Sequence, residues 1–283
     1  MLACAGGGSA NKDGLLPGKF SVSDTLQVQF SQGNLQYQPA THTWRFAENQ
    51  FDTIGEQNKL IADDYEGWID LFGWGTGAAP TKTSTNNQHY PDYTEWGTNA
   101  ISNGGENLPW RTLTVKEWGY LFFKRTDAKF KHGVAEVNGR DGMILLPDEW
   151  EQPEGLNFNP GFTRRGKAAY VNCYTLEQWQ TMEQNGAVFL PEAGARRGTK
   201  MVSDCGDYWS SSAYNYAQAY DVFFSSIYVQ TDCHGGNSYG KAVRLVRRSS
   251  CSARYCLYGY APSISNPAFR FLCFSIPNIR PSL

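Results

Sequence analysis

The sequence predicts a single α+β domain that consists mainly of short antiparallel strands and has two helices. Of its 283 residues, 18% are charged, 14% are aromatic and 29 are glycine. Aromatic residues spread among glycine-rich polar loops are typical of a fold with short strands and not of a helical bundle. Because the aromatic residues recur throughout the chain, it has enough apolar surface to bury a core.

Two helices are expected to begin at Thr114 and Thr175, because Glu117 and Gln178 each complete a capping box with the preceding threonine. Apolar residues follow at helical spacing: Trp118, Leu121 and Phe122 in the first segment, and Trp179 and Met182 in the second. Each helix is followed by a strand-like segment, at 143–148 and 188–192. We expect both segments to belong to one sheet system.

The first clear strand lies near the N-terminus. Alternation in residues 26–30 puts Leu26, Val28 and Phe30 on a core side and two glutamines outside. The same alternation resumes at 35–38 after a polar turn, which predicts a hairpin over residues 26–38.

A strand meander is expected over residues 206–248. By alternation, Val222, Phe224 and Val229 should face the core, whereas Asp221, Phe223 and Tyr228 should share an outer face with residues 232–239. Tyrosine offers large contact area at low rotamer cost, and Asn, Ser and Gly bond adaptably, as in antibody paratopes. The candidate ligand-binding residues are Trp209, Tyr214, Tyr216, Tyr220, Asp221, Phe223, Tyr228, Asp232, His234, Asn237 and Tyr239.

The expected organisation is a flexible tether over residues 1–16, one domain over 17–248 and an appendage over 249–283. The start, Met1-Leu2-Ala3-Cys4, resembles the tail of a lipoprotein signal without its charged and apolar regions. Cys4 is therefore either a membrane tether or an ordinary residue. The appendage has three cysteines, four prolines and no acidic residue.

Three segments resemble the formylglycine-generating-enzyme type of C-type-lectin fold. Residues 113–118 resemble its helix start, and residues 208–212 and 240–246 resemble its last strands, although Ala242-Val243 replaces the usual aromatic residue before Arg244. Residues 16–247 are similar to surface and lipoprotein paralogues of gut Bacteroidetes-type bacteria, and to the variable proteins of diversity-generating retroelements. The resemblance implies a C-type-lectin-like fold, export to the cell surface and mutable residues on the terminal strands. Ordinary hairpin turns explain the same composition.

Several function classes lack a recognisable site. The formal charge of -2 and the pI near 6.1 argue against a nucleic-acid partner. The four histidines lack metal-ligand spacing, and Pro191-Glu192-Ala193 replaces the calcium loop of true C-type lectins. We therefore assign no catalytic residue, metal or cofactor.

The favoured interpretation is binding of a protein or glycan ligand on another cell or on a phage. Two alternatives stay open. One is an oxidase of the formylglycine-generating type, which needs a pair of thiols. Cys251 and Cys256 are close in sequence but follow the last family-like strand, whereas Cys205 and Cys233 flank the strand meander and could meet in space. The other is a structural adhesin subunit without a discrete ligand.

Overall fold

The computed structural model describes residues 13–62, 64–106, 109–162, 164–165, 169–202 and 205–249. In these residues the protein has an α+β fold with two α-helices, α1 (Val115–Phe123) and α2 (Leu176–Gln184), and several small sheets. The strands are β1 Phe20–Ser21, β2 Gln27–Phe30, β3 Leu35–Gln38, β4 Thr43–Phe46, β5 His132–Val137, β6 Arg140–Leu145, β7 Arg164–Arg165, β8 Ala169–Tyr170, β9 Asn172–Tyr174, β10 Val188–Pro191, β11 Ala195–Arg197, β12 Lys200–Val202, β13 Gly206–Asn215, β14 Gln218–Phe224, β15 Val229–Gly236, β16 Tyr239–Gly240 and β17 Val246–Arg248. The 3₁₀ helices are Pro39–Thr41, Gly55–Leu60, Asn87–His89, Trp96–Thr98 and Ala128–Phe130.

Both predicted helix starts are confirmed. Thr114 Oγ1 accepts a bond from Glu117 N at 3.2 Å, and the Glu117 carboxylate accepts one from Thr114 N at 2.8 Å. Thr175 and Gln178 form the same reciprocal pair at the start of α2. The apolar residues predicted for each helix are buried. Local capping and one apolar stripe therefore define both helices.

The strands predicted after the two helices are neighbours in one sheet, which has the order β10-β6-β5-β9. β10 runs antiparallel to β6, with Val188 opposite Leu145, and β5 pairs with β9 in parallel. Successive residues of β6 face opposite ways, so that Met143 and Leu145 enter a central core and Ile144 enters an outer core under α2. This sheet therefore separates two layers of buried side chains.

The predicted hairpin over residues 26–38 is wrong. β2 pairs with β1 and with β17, whereas β3 pairs with β4. Between β2 and β3 the chain runs beside residues 243–245, the C-terminal segment of the domain. Ser31 N donates to Leu245 O and Leu35 N donates to Val243 O, both at 2.9 Å. Long-range pairing with the C-terminal segment therefore replaces the local turn.

Alternation is confirmed in β2 and fails in β3. Val28 and Phe30 are buried, and Gln27 is exposed. In β3, by contrast, Gln36 is buried, and its Oε1 accepts a bond from Arg45 Nε at 2.9 Å. Gln36 is covered because, from Leu35 to Tyr37, the residues on both faces of β3 are buried.

Three groups of buried side chains form the core: a central core, an aromatic core and the outer core under α2, which contains Ile144, Trp179, Met182 and Phe189. The central core contains Phe20, Val28, Phe30, Trp118, Leu121, Phe122, Met143, Leu145, Val188, Leu190, Tyr208, Val222 and Phe224, among others. The aromatic core contains Tyr37, Trp44, Phe46, Phe72, Trp74, Trp96, Trp110, Trp209, Val243 and Leu245, among others. Ala242 and Val246 face the central core while Val243 and Leu245 face the aromatic core, so this segment divides the two.

The predicted tether and appendage fall mostly outside the described residues. Residues 1–12, with Cys4, and residues 250–283 are not described. Leu16 belongs to the predicted tether, yet it is buried and its N donates to Phe30 O at 2.9 Å. Ser249 N donates to Gln27 O at 2.9 Å. In the described part of the chain, no helix is long and apolar enough to cross a membrane.

Candidate functional site

The residues proposed from the sequence lie on or beside one antiparallel sheet, with the order β13-β14-β15. Its pairing is irregular towards the β13–β14 turn, because three residues of β13, Ser210–Ser212, oppose the single residue Tyr220 of β14. On the other side of β14, Thr231 and Asp232 of β15 oppose Val222. Such bulges increase twist and re-aim side chains locally. They separate a regular, covered part of the sheet from an exposed end.

Most of the sheet is covered on both faces. Tyr208, Val222 and Phe224 are buried in the central core, and Val229 packs against the same core. The core-facing set predicted by alternation is thus correct for its three members. On the opposite face, Trp209 is fully buried in the aromatic core, and its Nε1 donates to Phe72 O at 2.7 Å. Trp209 is therefore part of the scaffold's interior and does not reach the surface.

Asp221 lies on this second, covered face, which contradicts its predicted place on an outer face. Asp221 as a whole residue is 1% exposed, and its Oδ2 lies 2.7 Å from Lys241 Nζ. Asp207 Oδ1 lies 2.9 Å from the same Nζ. The reason is that Phe72 pairs with Lys241, so the irregular segment near residue 72 covers this side of the sheet. Period-two alternation marks opposite faces, but it does not show whether the second face is covered.

Asn237 is also buried, and it joins two loops. Its N donates to Ala217 O at 3.0 Å, and its Nδ2 donates to Tyr90 O at 3.3 Å. Next to it, Ser238 donates through Oγ to Asn87 Oδ1 at 2.6 Å. Asn237 therefore fixes the end of β15 against residues 87–90, and it is too buried to contact a macromolecular ligand directly.

The exposed end of the sheet carries a cluster of three rings. The Tyr214 ring and the His234 imidazole are parallel, with centroids 4.0 Å apart and an interplanar angle of 2°. Tyr214 also contacts Tyr220 edge-on, at 5.3 Å and 87°. Each ring comes from a different strand of the sheet: Tyr214 from β13, Tyr220 from β14 and His234 from β15. The rings meet because Tyr220 pairs with His234 and the bulge of β13 turns Tyr214 towards them.

Two further predicted residues border this cluster. Tyr216 lies in the β13–β14 turn and is 77% exposed, and Asp232 is exposed two residues before His234 on β15. The turn is held by Asn215, whose Oδ1 accepts from Ala217 N at 2.8 Å. We name the surface formed by these five side chains the hairpin-end face: Tyr214, Tyr216, Tyr220, Asp232 and His234.

The other predicted residues do not join this face. Phe223 and Tyr228 contact each other, with ring centroids 5.5 Å apart, at the opposite end of β14. Tyr239 packs partly against the aromatic core, under the guanidinium of Arg197 at 4.3 Å. Exposed tyrosines thus occur at both ends of the sheet, but only the hairpin-end face combines three strands.

The two cysteines that flank the meander do not form a thiol pair. Cys233 of β15 lies opposite Asp221 of β14, whereas Gly206 of β13, the residue after Cys205, lies opposite Phe224 of β14. The two cysteines are therefore on opposite sides of β14 and at different positions along it. With about 3.3 Å per residue and about 4.8 Å between strands, their Cα atoms are more than about 10 Å apart, beyond the roughly 7 Å limit for a disulfide. Burial raises the pKa of the Cys233 thiol, and the Asp221 carboxylate raises it further. In the described residues, no group of three His, Cys, Asp or Glu side chains is placed to hold a metal ion.

Sequence reasoning missed Asp207 and Lys241, which meet Asp221 inside the fold. A signal was present, since Lys241 interrupts an apolar strand pattern between Gly240 and Ala242-Val243. Charged residues in such patterns are rarely fully buried unless they are paired. Comparison of the chain with protein-family models, with curated proteins and with solved structures gave no match.

Proposed function

We propose that this protein binds another protein noncovalently through the hairpin-end face. The observation that carries the proposal is the exposed stack of Tyr214 on His234, closed at its edge by Tyr220. Large exposed rings that already contact each other lose little conformational freedom when a partner covers them. The face therefore offers apolar contact area that is ordered before binding.

The chemistry around the rings supports a protein partner. The phenol groups and Asp232 place hydrogen-bonding atoms at the border of an apolar patch, and interfaces are enriched in tyrosine for this reason. Tyr216 projects from the turn with 77% of its surface exposed. Cavities of about 310 and 540 Å³ lie elsewhere and are lined by other residues. A projecting surface suits a macromolecule better than a small molecule.

The finer fold and the location belong to the same proposal. We infer a C-type-lectin-like scaffold, exported to the cell surface, whose terminal strands are diversified by a retroelement. Support comes from the pairing of β2 with β17, which joins the two ends of the domain, and from the family-like segments at the start of α1 and in β13. The inferred diversification is tested in the DNA: a reverse transcriptase gene beside a near-copy of the last coding segment supports it, and their absence overturns it.

The binding proposal is tested with a variant in which Tyr214, Tyr216 and His234 are all changed to serine. Wild type and variant are screened against a displayed library of bacterial and phage surface proteins and, in parallel, on a glycan array. We expect the wild type to select a protein partner that the triple variant loses. If the wild type binds only glycans, the ligand is a carbohydrate and the proposal of a protein partner is wrong.

The matched control changes exposed aromatic residues away from the face, Phe123 and Phe130, to serine; each is 55% exposed. The control should keep the partner. All three proteins should unfold at similar temperatures, because exposed substitutions usually shift stability by less than about 0.5 kcal/mol. Identical binding profiles for wild type and triple variant would overturn the proposal and favour a structural subunit.

A further inference from the structure

Asp207, Asp221 and Lys241 form a buried cluster that the proposed binding function does not use. Lys241 Nζ lies 2.9 Å from Asp207 Oδ1 and 2.7 Å from Asp221 Oδ2. The exposed fractions of the three side chains are 9%, 2% and 5% for Asp207, Asp221 and Lys241. An amine is thus held against two carboxyl groups inside the fold.

Backbone pairing fixes the three groups from different sides. Asp207 and Asp221 lie on the adjacent strands β13 and β14, and Lys241 exchanges two backbone bonds with Phe72, both of 3.0 Å. The Nζ lies 4.7 Å from the ring centroid of Trp209. On another side it packs on Gly235, where an added Cβ would be only 2.8 Å from it. The amine therefore has little room to leave the carboxyl groups.

The charges do not balance when all three groups are ionised, because two carboxylates face one ammonium. Burial raises the pKa of Asp207 to about 7; Lys241 opposes the shift and Asp221 adds to it. Burial lowers the pKa of Lys241, but the two carboxylates outweigh that effect and raise it. A neutral cluster with one carboxylic acid, one carboxylate and one ammonium is consequently populated near neutral pH.

We propose that Lys241 and Asp207 condense to an intramolecular isopeptide bond, with Asp221 as the general base. The Asp221 carboxylate takes a proton from the ammonium of Lys241. The free amine then attacks Cγ of the Asp207 carboxylic acid. A C–N bond forms, the C–OH bond breaks, and the hydroxyl leaves as water with a second proton from the nitrogen. Asp221 ends as a carboxylic acid, so the overall change is the loss of one water molecule.

The geometry favours condensation of the amine with the carboxylic acid over hydrolysis of the resulting amide. Groups held in reactive orientation attain effective concentrations of about 10⁵–10⁸ M, and no oxidant, reductant or activated co-reactant is required. The surroundings of the cluster, with Trp209 on one side and strands on others, exclude bulk water that would reverse the bond. The product would join β13 covalently to the segment after β16.

The decisive experiment is the intact mass of the full chain, followed by peptide mapping. The mass should be lower than that calculated from the sequence by one water molecule. Trypsin should not cleave after Lys241, and tandem spectra should show a branched peptide joining it to Asp207. A full calculated mass, or a water loss located within a single unbranched peptide, overturns the proposal, as does a branch at Asp221.

Two variants test the roles of the groups. Lys241→Arg keeps a positive charge but has no nucleophilic amine, and Asp221→Asn keeps the size of the side chain but has no base. Both should show the full calculated mass, with Lys241 cleavable by trypsin in Asp221→Asn. A control, Lys59→Arg at the exposed pair with Glu56, should keep the water loss. A branched peptide at the wild-type level in Asp221→Asn would refute the assigned base, and the wild-type mass remains decisive even where a variant fails to fold.

Discussion

The Tyr214 ring lies parallel to the His234 imidazole, with the two centroids 4.0 Å apart. Parallel contact at this distance orders two exposed side chains that would otherwise sample several rotamers. It also joins β13 to β15 across β14, because the two residues belong to the outer strands of the same sheet. The stack thus restrains the bulged end of the hairpin, and it lies within the proposed binding surface.

This restraint is measurable by a double-mutant cycle. Tyr214→Ala and His234→Ala should show a coupling free energy on the order of 0.5 kcal/mol, the lower end for aromatic pairs, because both rings are exposed. Urea unfolding of wild type, both single variants and the double variant gives the value. The pair Tyr216→Ala and Tyr228→Ala, at opposite ends of the sheet, provides the additive control. Additivity within error for Tyr214 and His234 would contradict the stack.

The elements that the sequence predicted correctly are those that depend on neighbouring residues. Thr114 with Glu117 is a local interaction, and so is the alternation of Val28 and Phe30 in β2. Asp221 was placed wrongly, because its burial depends on Phe72, far away in sequence and part of an irregular segment. No local pattern reports which segment will cover the second face of a strand.

The candidate site was predictable in part for the same reason. The Tyr-rich composition of residues 214–221 indicated the end of the sheet at which the rings of Tyr214, Tyr220 and His234 meet. The stack itself depends on a bulge in β13, which has no simple sequence signature. Asparagine is a residue type common in binding surfaces, yet Asn237 is buried, because it bonds to Tyr90 on a loop that is distant in sequence.

The capping boxes predict a defined loss of stability. Thr114→Ala and Thr175→Ala should each lower the free energy of unfolding by about 1 kcal/mol, because a helix amide loses its acceptor. The loss at Thr114 should be the larger, since Glu117 also binds Arg111 at 2.6 and 2.8 Å and loses an anchor. Thr→Ser at either position keeps the acceptor and serves as the control. Equal stability of Thr114→Ala and wild type in urea unfolding would show that the cap contributes nothing.

Asn237→Ala should lower the stability of the fold, and it should affect binding only through that loss of stability. Asn237→Ala leaves the carbonyls of Tyr90 and Tyr216 without the Nδ2 donor, and a buried unpaired polar group costs about 1–3 kcal/mol. Gln230→Ala, at an exposed position of β15, should change stability by less than about 0.5 kcal/mol. Thermal unfolding compares the two. A destabilised Asn237 variant that still binds the partner below its unfolding temperature fits the structural role; loss of binding with unchanged stability contradicts it.

Asp70 links the stability of the fold to pH. Its carboxylate is buried and accepts bonds from Ile54 N at 2.8 Å and from Asn58 Nδ2 at 2.7 Å. Burial raises the pKa of Asp70 to about 6 from 3.8, against the lowering effect of those bonds. Between these two values the folded protein therefore holds a proton that the unfolded chain has released.

The free energy of unfolding should consequently fall as pH rises from about 4 to about 6, and the contribution of Asp70 should be constant above that window. For a shift of about two pKa units in a buried group, the total change is about 3 kcal/mol. Asp70→Asn cannot titrate, so the difference in unfolding free energy between wild type and this variant should decline across the window and then level off. Urea unfolding at half-unit pH intervals measures that difference. The exposed Asp92→Asn, measured over the same pH range, serves as the matched control. A difference between wild type and Asp70→Asn that stays constant from pH 4 to 7, or that rises with pH, would show that Asp70 is ionised in the folded protein throughout.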